Sequence, residues 1–453
     1  MLNEPKYRIR KKIINSVEEG TTSLNSKIDN FNYSMNHQIA ELTTSLNKLS
    51  DRIYALENKP LSYEYVSPEY ILDSIQFTHS KKPRLLICGF YGALNLGDEL
   101  MLQALLRRLD HNKFDTTIMI AEHPEIDASI YAPHQVIHYP KFNDDILLLA
   151  KNYDCIIWGG GAVLDDDQYY FNYSHNSLGY ILLKTSLAAL KFRKKIFVLG
   201  TSTNQSIQDK SFIKDLQAVI SNANYFALRD TNSLKVLQNN NINVKNIHII
   251  DDLAISDLPN SIPQKKSKTL TIGLVFILDD NNLPNIITFI QTIIKYFKNE
   301  DVILNFIPFY NRAGYDQKYF QRIISSIKTQ KNINTNIKPY PNTSNELIQI
   351  ISQCNCIISM RYHATLISSL CGIKTLSIDY SEEHRHYYNK LTYIHDNYAN
   401  FHKILFSKIT DEKSVFNSIK QTLNTPPHIF DPRVIKKADN SLSKITNQIN
   451  LLF

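Results

Sequence analysis

From Arg84 onward the chain alternates short apolar runs with amphipathic segments, and this rhythm limits its fold more than any other feature. Residues 84–90 (RLLICGF) read as a strand and residues 98–109 (DELMLQALLRRL) as a helix. Thr116–Ala121 and Asp154–Trp158 read as further strands, the second running into Gly159-Gly160-Gly161. A helix is expected over 180–192, a strand over Lys195–Leu199, and a short strand over Tyr225–Leu228 with a helix from Asp230. Strands that lack polar alternation are apolar on both faces. They belong in a parallel sheet covered by helices on each side.

The rhythm breaks at 259–268 (PNSIPQKKSK), where two prolines and a charge cluster mark a domain boundary. It then resumes: strand Leu270–Ile277, helix 284–298, strand Val302–Pro308, helix near 317–328, helix from Asn345, strand Cys356–Ser359, helix from Ala364, strand Thr375–Ile378. The expected fold class is therefore α/β, with two Rossmann-like domains at 83–258 and 268–395 paired in a GT-B-like manner around a cleft. Residues 396–453 are expected as a C-terminal helical segment, interrupted by Pro426, Pro427 and Pro432. A length of 453 residues leaves room for roughly three domains.

Residues 1–60 differ in kind. Leu24, Ile28, Phe31, Met35, Ile39, Leu42, Leu46, Leu49, Ile53 and Leu56 recur in steps of three and four, a heptad seam over 17–56 with a stutter near Met35. The seam predicts a coiled-coil helix ended by Pro60, with 61–82 as a linker. A seam this narrow suits a second copy of the same helix, hence a homo-oligomer; packing on the rest of the chain or on a partner protein is the other reading. Ahead of it stand Lys6, Arg8, Arg10, Lys11 and Lys12. They read as a solvated tail, or as a weak peripheral contact with an anionic membrane at about 1 kcal/mol per charge.

The chain as a whole carries 50 basic against 43 acidic side chains, scattered outside that tail, which disfavours a nucleic-acid partner. No apolar run approaches the ~18 residues of a membrane span, and no secretory leader is evident, so a cytoplasmic location is expected. Cys88, Cys155, Cys354, Cys356 and Cys371 all lie in or beside apolar stretches, as buried reduced thiols do. Cys354-x-Cys356 has the spacing of strand alternation, not of a zinc site.

Four segments carry chemistry, each at a strand-to-helix junction. The first is Gly89-Phe90-Tyr91-Gly92-Ala93-Leu94-Asn95-Leu96-Gly97-Asp98-Glu99. Its glycines allow close backbone approach, and the helix start offers unpaired N–H groups to an anion. Asn95 and Asp98 equally suit helix capping. The spacing matches neither a dinucleotide fingerprint nor a P-loop. The second is Gly159-Gly160-Gly161, read as an anion-approach loop or a tight turn; Asp165-Asp166-Asp167 after it reads as a solvated loop before a metal site. The third is Arg229-Asp230-Thr231-Asn232-Ser233, an arginine fork at a strand end followed by a helix cap, or an Arg–Asp structural pair. The fourth is Arg361-Tyr362-His363-Ala364, a fixed cation and a titratable group at a helix start.

Together and in this order, Asn95-Leu96-Gly97-Asp98-Glu99, Gly159-Gly160-Gly161, Arg229-Asp230-Thr231-Asn232-Ser233 and Arg361-Tyr362-His363-Ala364 resemble the motifs of the polysaccharide pyruvyl transferase family. Gly372-Ile373-Lys374-Thr375 resembles a further turn of that family, with Lys374 in place of its usual proline. One segment departs from the pattern: Tyr380-Ser381-Glu382-Glu383-His384 lacks the lysine often found there. The resemblance spans about residues 84–390.

The resemblance implies transfer of a pyruvyl group from phosphoenolpyruvate to a sugar of a bacterial surface polysaccharide, free or on a lipid or nucleotide carrier. It implies Arg229 and Arg361 as the two cationic grips on the donor. Tyr362, Asn95, Gly97, Gly159, Gly160 and Gly161 are expected around the substrate. His363 is expected to give and take protons, with Asp98 or Glu99 as partner base. No cofactor and no metal are expected. Two other functions fit the same residues: a GT-B glycosyltransferase whose Arg361 and His363 bind the diphosphate of a nucleotide sugar, and a non-catalytic scaffold joined through residues 17–56.

Overall fold

The apolar runs become strands and the amphipathic segments helices in the computed structural model, which describes residues 82–120, 131–140, 143–166, 178–203, 207–259, 269–328, 330–380, 390–399 and 401–453. All of them belong to one unit, Ser74–Phe453. The basic tail, the heptad seam, nearly all of the linker, Asp167 and the segment 381–384 lie outside the described residues.

The first half runs β1 (Arg84–Cys88), α1 (Leu96–Leu106), β2 (Asp115–Ile120), β3 (Gln135–His138), α2 (Asn143–Asn152), β4 (Cys155–Trp158), β5 (Gly161–Leu164), α3 (Leu178–Lys191), β6 (Lys195–Thr203), α4 (Lys210–Asn222), β7 (Tyr225–Leu228), α5 (Thr231–Asn239) and β8 (Ile247–Ile249). The second runs β9 (Leu270–Val275), α6 (Leu283–Tyr296), β10 (Val302–Phe306), α7 (Tyr315–Ser326), β11 (Ile333–Ile337), α8 (Ser344–Ile351), β12 (Cys356–Ser359), α9 (Tyr362–Leu370), β13 (Lys374–Asp379), α10 (Lys390–Asn397), β14 (His402–Leu405), α11 (Glu412–Asn424) and α12 (Pro432–Leu451).

Both sheets are parallel. The first has the order β3-β2-β1-β4-β6-β7-β8 with β5 beside β6, the second β11-β10-β9-β12-β13-β14. The fold is thus the expected GT-B-like pair of sheets with interleaved helices. In the first sheet the chain steps outward from β1 through β2 to β3 and then returns to β4 on the other side of β1. The loops after β1 and β4 therefore diverge and open a crevice at their carboxyl ends. The second sheet has the same reversal between β9 and β12. Three of the four motif segments follow β1, β4 and β12, at these two crevices.

Some elements differ from the expectations. Residues 403–453 are not helical from the start, because His402–Leu405 forms strand β14. This strand, with β3, β8 and β11, lies at a sheet edge. Edge strands bury one side only and carry polar residues, so none of the four shows the apolar run that marks a central strand. The last helix also has a place that its sequence does not reveal. Ile435, Ala438, Leu442, Ile445 and Ile449 make one helical stripe, buried in the same core as Leu253, Ala254 and Ile255 of the first half. Arg108, just past the end of α1, reaches Asp439 of α12 at 2.6 Å. The C-terminal helix thus packs back on the first half. All five cysteines are buried and unpaired.

The halves meet along the start of α1. The Leu96 N–H donates to the Phe309 carbonyl at 2.8 Å, and the Leu94 carbonyl accepts from the Asn311 N–H and the Tyr340 hydroxyl, each at 3.1 Å. Asn95 forms an isolated antiparallel bridge with Tyr310. The first motif loop is consequently built by both halves.

Candidate active site

The loop after β1 is clasped from within its own half. Glu99, in the first turn of α1, accepts from the Gly92 N–H at 3.1 Å and from the Tyr131 hydroxyl at 3.1 Å. Burial pushes its carboxyl up to about 7; the Gly92 and Tyr131 donors oppose the rise and the neighbouring Asp98 charge adds to it. Asn95 occupies the N-cap position of α1, but its side chain makes no capping bond. The capping expectation for Asn95 is therefore not met.

The triple glycine is filled by protein. A Cβ on Gly159 would lie 1.7 Å from the Tyr91 hydroxyl, and one on Gly160 would lie 2.4 Å from the Met101 sulfur. The open anion-approach surface expected at Gly159 and Gly160 is thus occupied by Tyr91 and Met101, because a bare backbone is also the best seat for a large buried side chain. Gly161 has φ +124°, a conformation closed to other residues without strain, and the space beside it holds Asp98 Oδ1 at 3.1 Å from the position of a Cβ. The loop after β4 therefore abuts the first turn of α1. Asp166 accepts from the Asp209 N–H at 2.6 Å, tying its loop to α4.

Arg229 is the largest correction. Its fork does not open on the cleft. The side chain is 3% exposed, with Nη1 at 2.9 Å from Asp252 Oδ2 and Nε at 3.1 Å from the Ser202 hydroxyl. The Tyr362 ring covers its guanidinium at 4.5 Å. A guanidinium enclosed in this way has no edge to offer a donor carboxylate or phosphate, so Arg229 does not form the second grip. Its bond is an Arg–Asp structural pair, made with Asp252 and not with the adjacent Asp230. Asp230 caps α5, accepting from the Ser233 N–H at 2.6 Å.

Asp252 links Arg229 to His363. The carboxylate is 1% exposed, and its Oδ2 also faces His363 Nε2 at 3.4 Å. Burial by itself would raise the Asp252 carboxyl, but its interactions with the His363 ring and the Arg229 guanidinium outweigh burial and hold it well below the usual carboxylate range. The other edge of the His363 ring lies on α1: a Cβ at Gly97 would be 1.9 Å from Nδ1. Gly97 is therefore required by the close approach of an imidazole from the second half. The ring itself is 11% exposed.

Arg361 precedes α9 at the second crevice. Its Nε donates to the Phe276 carbonyl after β9 at 3.0 Å, and Nη2 donates to Asp316 at 3.3 Å. Asp316 is fully buried and also accepts from the Phe309 and Tyr310 N–H groups at 2.8 and 2.7 Å. Burial raises its carboxyl, against the Arg361 cation and the two N–H donors. Among the described residues Arg361 Nη1 makes no hydrogen bond, and the side chain is 15% exposed. Arg361 thus keeps part of its fork available.

The structure brings together Gly97, Asp98, Gly161 and His363, with Arg361 and Tyr362 adjoining them and Arg229 reached through Asp252. Sequence reasoning missed Asp252, Asp316 and Tyr131. Asp251-Asp252 directly follows Ile247–Ile249 and its neighbour Ile250, at the carboxyl end of a strand, a position that marks it in retrospect. Asp316 looks like an ordinary first-turn acid of α7, since helix starts favour acids anyway.

Solved structures of similar shape include the UDP-GlcNAc 2-epimerase of Methanocaldococcus jannaschii, 10% identical, with TM-score 0.52 over 81% of this chain and 99% of that one. MurG of Acinetobacter baumannii is also 10% identical, with TM-score 0.51 over 82% of this chain and 99% of that one. At such identities the likeness is one of fold alone. No curated protein matches the sequence. The family model for polysaccharide pyruvyl transferase matches residues 95–382, a span that begins at the Asn95 loop, takes in Asp252 and Arg361-Tyr362-His363, and covers more than half of the chain. The chain belongs to the polysaccharide pyruvyl transferase family.

Proposed function

We propose that the protein transfers a pyruvyl group from phosphoenolpyruvate to a sugar of a bacterial surface polysaccharide or its precursor, forming a cyclic ketal. One observation carries this reading beyond family membership: the His363 ring rests on Gly97 in the first turn of α1, with Arg361 two residues before it. A proton-transfer group thus touches a helix N-terminus, with a cation two residues away in sequence. A small donor with a carboxylate and a phosphate needs this combination.

Arg361 holds one anionic end of the donor through Nη1. His363 delivers a proton to the methylene carbon of phosphoenolpyruvate, leaving positive charge at C2. A sugar hydroxyl adds to C2 and loses its proton to a base. The bond from C2 to the phosphate oxygen then breaks, inorganic phosphate departs with the electron pair, and a second hydroxyl of the same sugar closes the ring with loss of another proton. Glu99 holds the loop through Gly92 and Tyr131, so Asp98 is assigned as the second base. General acid–base groups of this kind contribute about 10²–10⁴-fold.

The test is phosphate release from phosphoenolpyruvate in the presence of candidate glycans, with mass spectrometry of the product. The expected product is heavier by one pyruvate less one water. Arg361→Ala and His363→Ala should each abolish release. Turnover that survives both changes overturns the site, and thermal stabilisation by a nucleotide sugar but not by phosphoenolpyruvate overturns the reaction.

A further inference from the structure

We propose that Asp252 is the positioning residue for His363: it keeps a proton on Nε2 and so makes Nδ1 the nitrogen that exchanges protons at the crevice. The consequence for turnover rests on the pyruvyl-transfer reading; the tautomer itself does not.

The carboxylate is held at both oxygens. Oδ1 accepts from the Ala254 N–H at 3.0 Å, and Oδ2 accepts from Arg229 Nη1 at 2.9 Å. It cannot swing away without breaking a buried ion pair. Its Oδ2 faces His363 Nε2 at 3.4 Å, and Nε2 is buried without a hydrogen bond of ordinary geometry. Leaving a buried polar nitrogen unpaired costs roughly 1–3 kcal/mol. A bare Nε2 would also set a lone pair against a carboxylate, whereas an Nε2–H sets a proton toward it. The proton therefore belongs on Nε2.

Nδ1 is then the nitrogen with a lone pair, and it lies over Gly97. The groups around this pair come from several elements. Arg229 follows β7, Asp98 and Gly97 belong to α1, and Tyr362 on α9 meets the His363 ring edge-on at 5.0 Å. Arg229 acts in this arrangement as the anchor of Asp252, which gives the buried arginine a role without ligand contact. Asp252 belongs to the first half and His363 to the second, so the proton's place on the ring is fixed only when the halves are together.

The experiment is long-range 15N–1H NMR of the ring-labelled protein, with the His363 signals assigned by their loss in His363→Gln. At a pH where the ring is neutral the wild type should show Nδ1 as the bare nitrogen and Nε2 as the protonated one, and protonation of Nδ1 then makes the acid that the transfer uses. In Asp252→Asn the negative charge that favours Nε2–H is removed, so the form protonated at Nδ1 should gain population. The kcat should fall about 100-fold or more, as loss of a general acid–base group does, with the KM for phosphoenolpyruvate little changed. If Asp252→Asn fails to fold, the wild-type tautomer alone decides. A neutral wild-type His363 protonated at Nδ1, or an unchanged tautomer and pH–rate profile in Asp252→Asn, overturns the proposal. A correct tautomer in a protein that releases no phosphate from phosphoenolpyruvate would sink the pyruvyl-transfer reading and leave the positioning role standing.

Discussion

Gly97→Ala tests the contact between the halves without any substrate. A methyl placed there would sit 1.9 Å from His363 Nδ1, 2.5 Å from Cγ and 2.7 Å from Cε1. The nearest of these contacts is about 1.5 Å short of the 3.4 Å at which ordinary packing begins. The ring has little room to retreat, since Asp252 and Tyr362 stand against it. Overpacking of this kind costs about 1–3 kcal/mol. The backbone effect has the opposite sign, because alanine within a helix is better than glycine by about 0.5–1 kcal/mol. The net expectation is destabilisation of about 1–2 kcal/mol in the wild-type background.

In a His363→Ala background the obstacle is gone and only the helix term remains. Gly97→Ala should then stabilise by about 0.5–1 kcal/mol. Urea unfolding of the four proteins closes the double-mutant cycle, and the coupling should approach the upper part of the ~0.5–3 kcal/mol range for residues in contact. Turnover adds a second readout, since moving a reacting group by about 1 Å costs about 100-fold. The same sign in both backgrounds would refute the close approach of His363 to Gly97.

Other perturbations probe the groups around this contact. Arg229→Ala leaves Asp252 as a buried, uncompensated charge and should destabilise by about 3–5 kcal/mol in chemical denaturation; a loss under 1 kcal/mol would mean that the pair is not enclosed. Glu99 has its folded-state carboxyl raised from 4.5 to about 7, so the unfolded chain releases the proton first as pH rises. Stability should fall between these values, and Glu99→Gln should gain on the wild type across that window and level off above it. A difference between the two that does not vary with pH would count against the buried carboxyl. Arg361→Lys keeps the charge but cannot serve Phe276, Asp316 and an anion together, so the KM for phosphoenolpyruvate should rise about tenfold or more; an unchanged KM would remove Arg361 from the donor site.

The two parallel sheets were legible in the sequence because central strands are apolar on both faces. Arg84–Cys88, Cys155–Trp158 and Cys356–Ser359 announce themselves without reference to any partner. So do the glycines and charged residues at their carboxyl ends, which a parallel sheet gathers on one side. That much is local information, carried by spacing and residue type. The edge strands, the return of α12 to the first half and the fate of each charged side chain are not local. Nothing near Arg229 in sequence predicts Asp252 as its partner in place of Asp230, since the choice depends on where β7 and the turn after β8 end in space. Gly97 looks like a loop glycine kept bare for a ligand, until the second half brings His363 onto it. Gly159 and Gly160 look the same, until Tyr91 and Met101 fill their places. Sequence alone determined where the strand-ended loops would stand along the chain and which chemical groups they would carry. Only the tertiary structure decided which of those groups spend their charge on one another, because burial makes each ion pair a matter of distances across the fold.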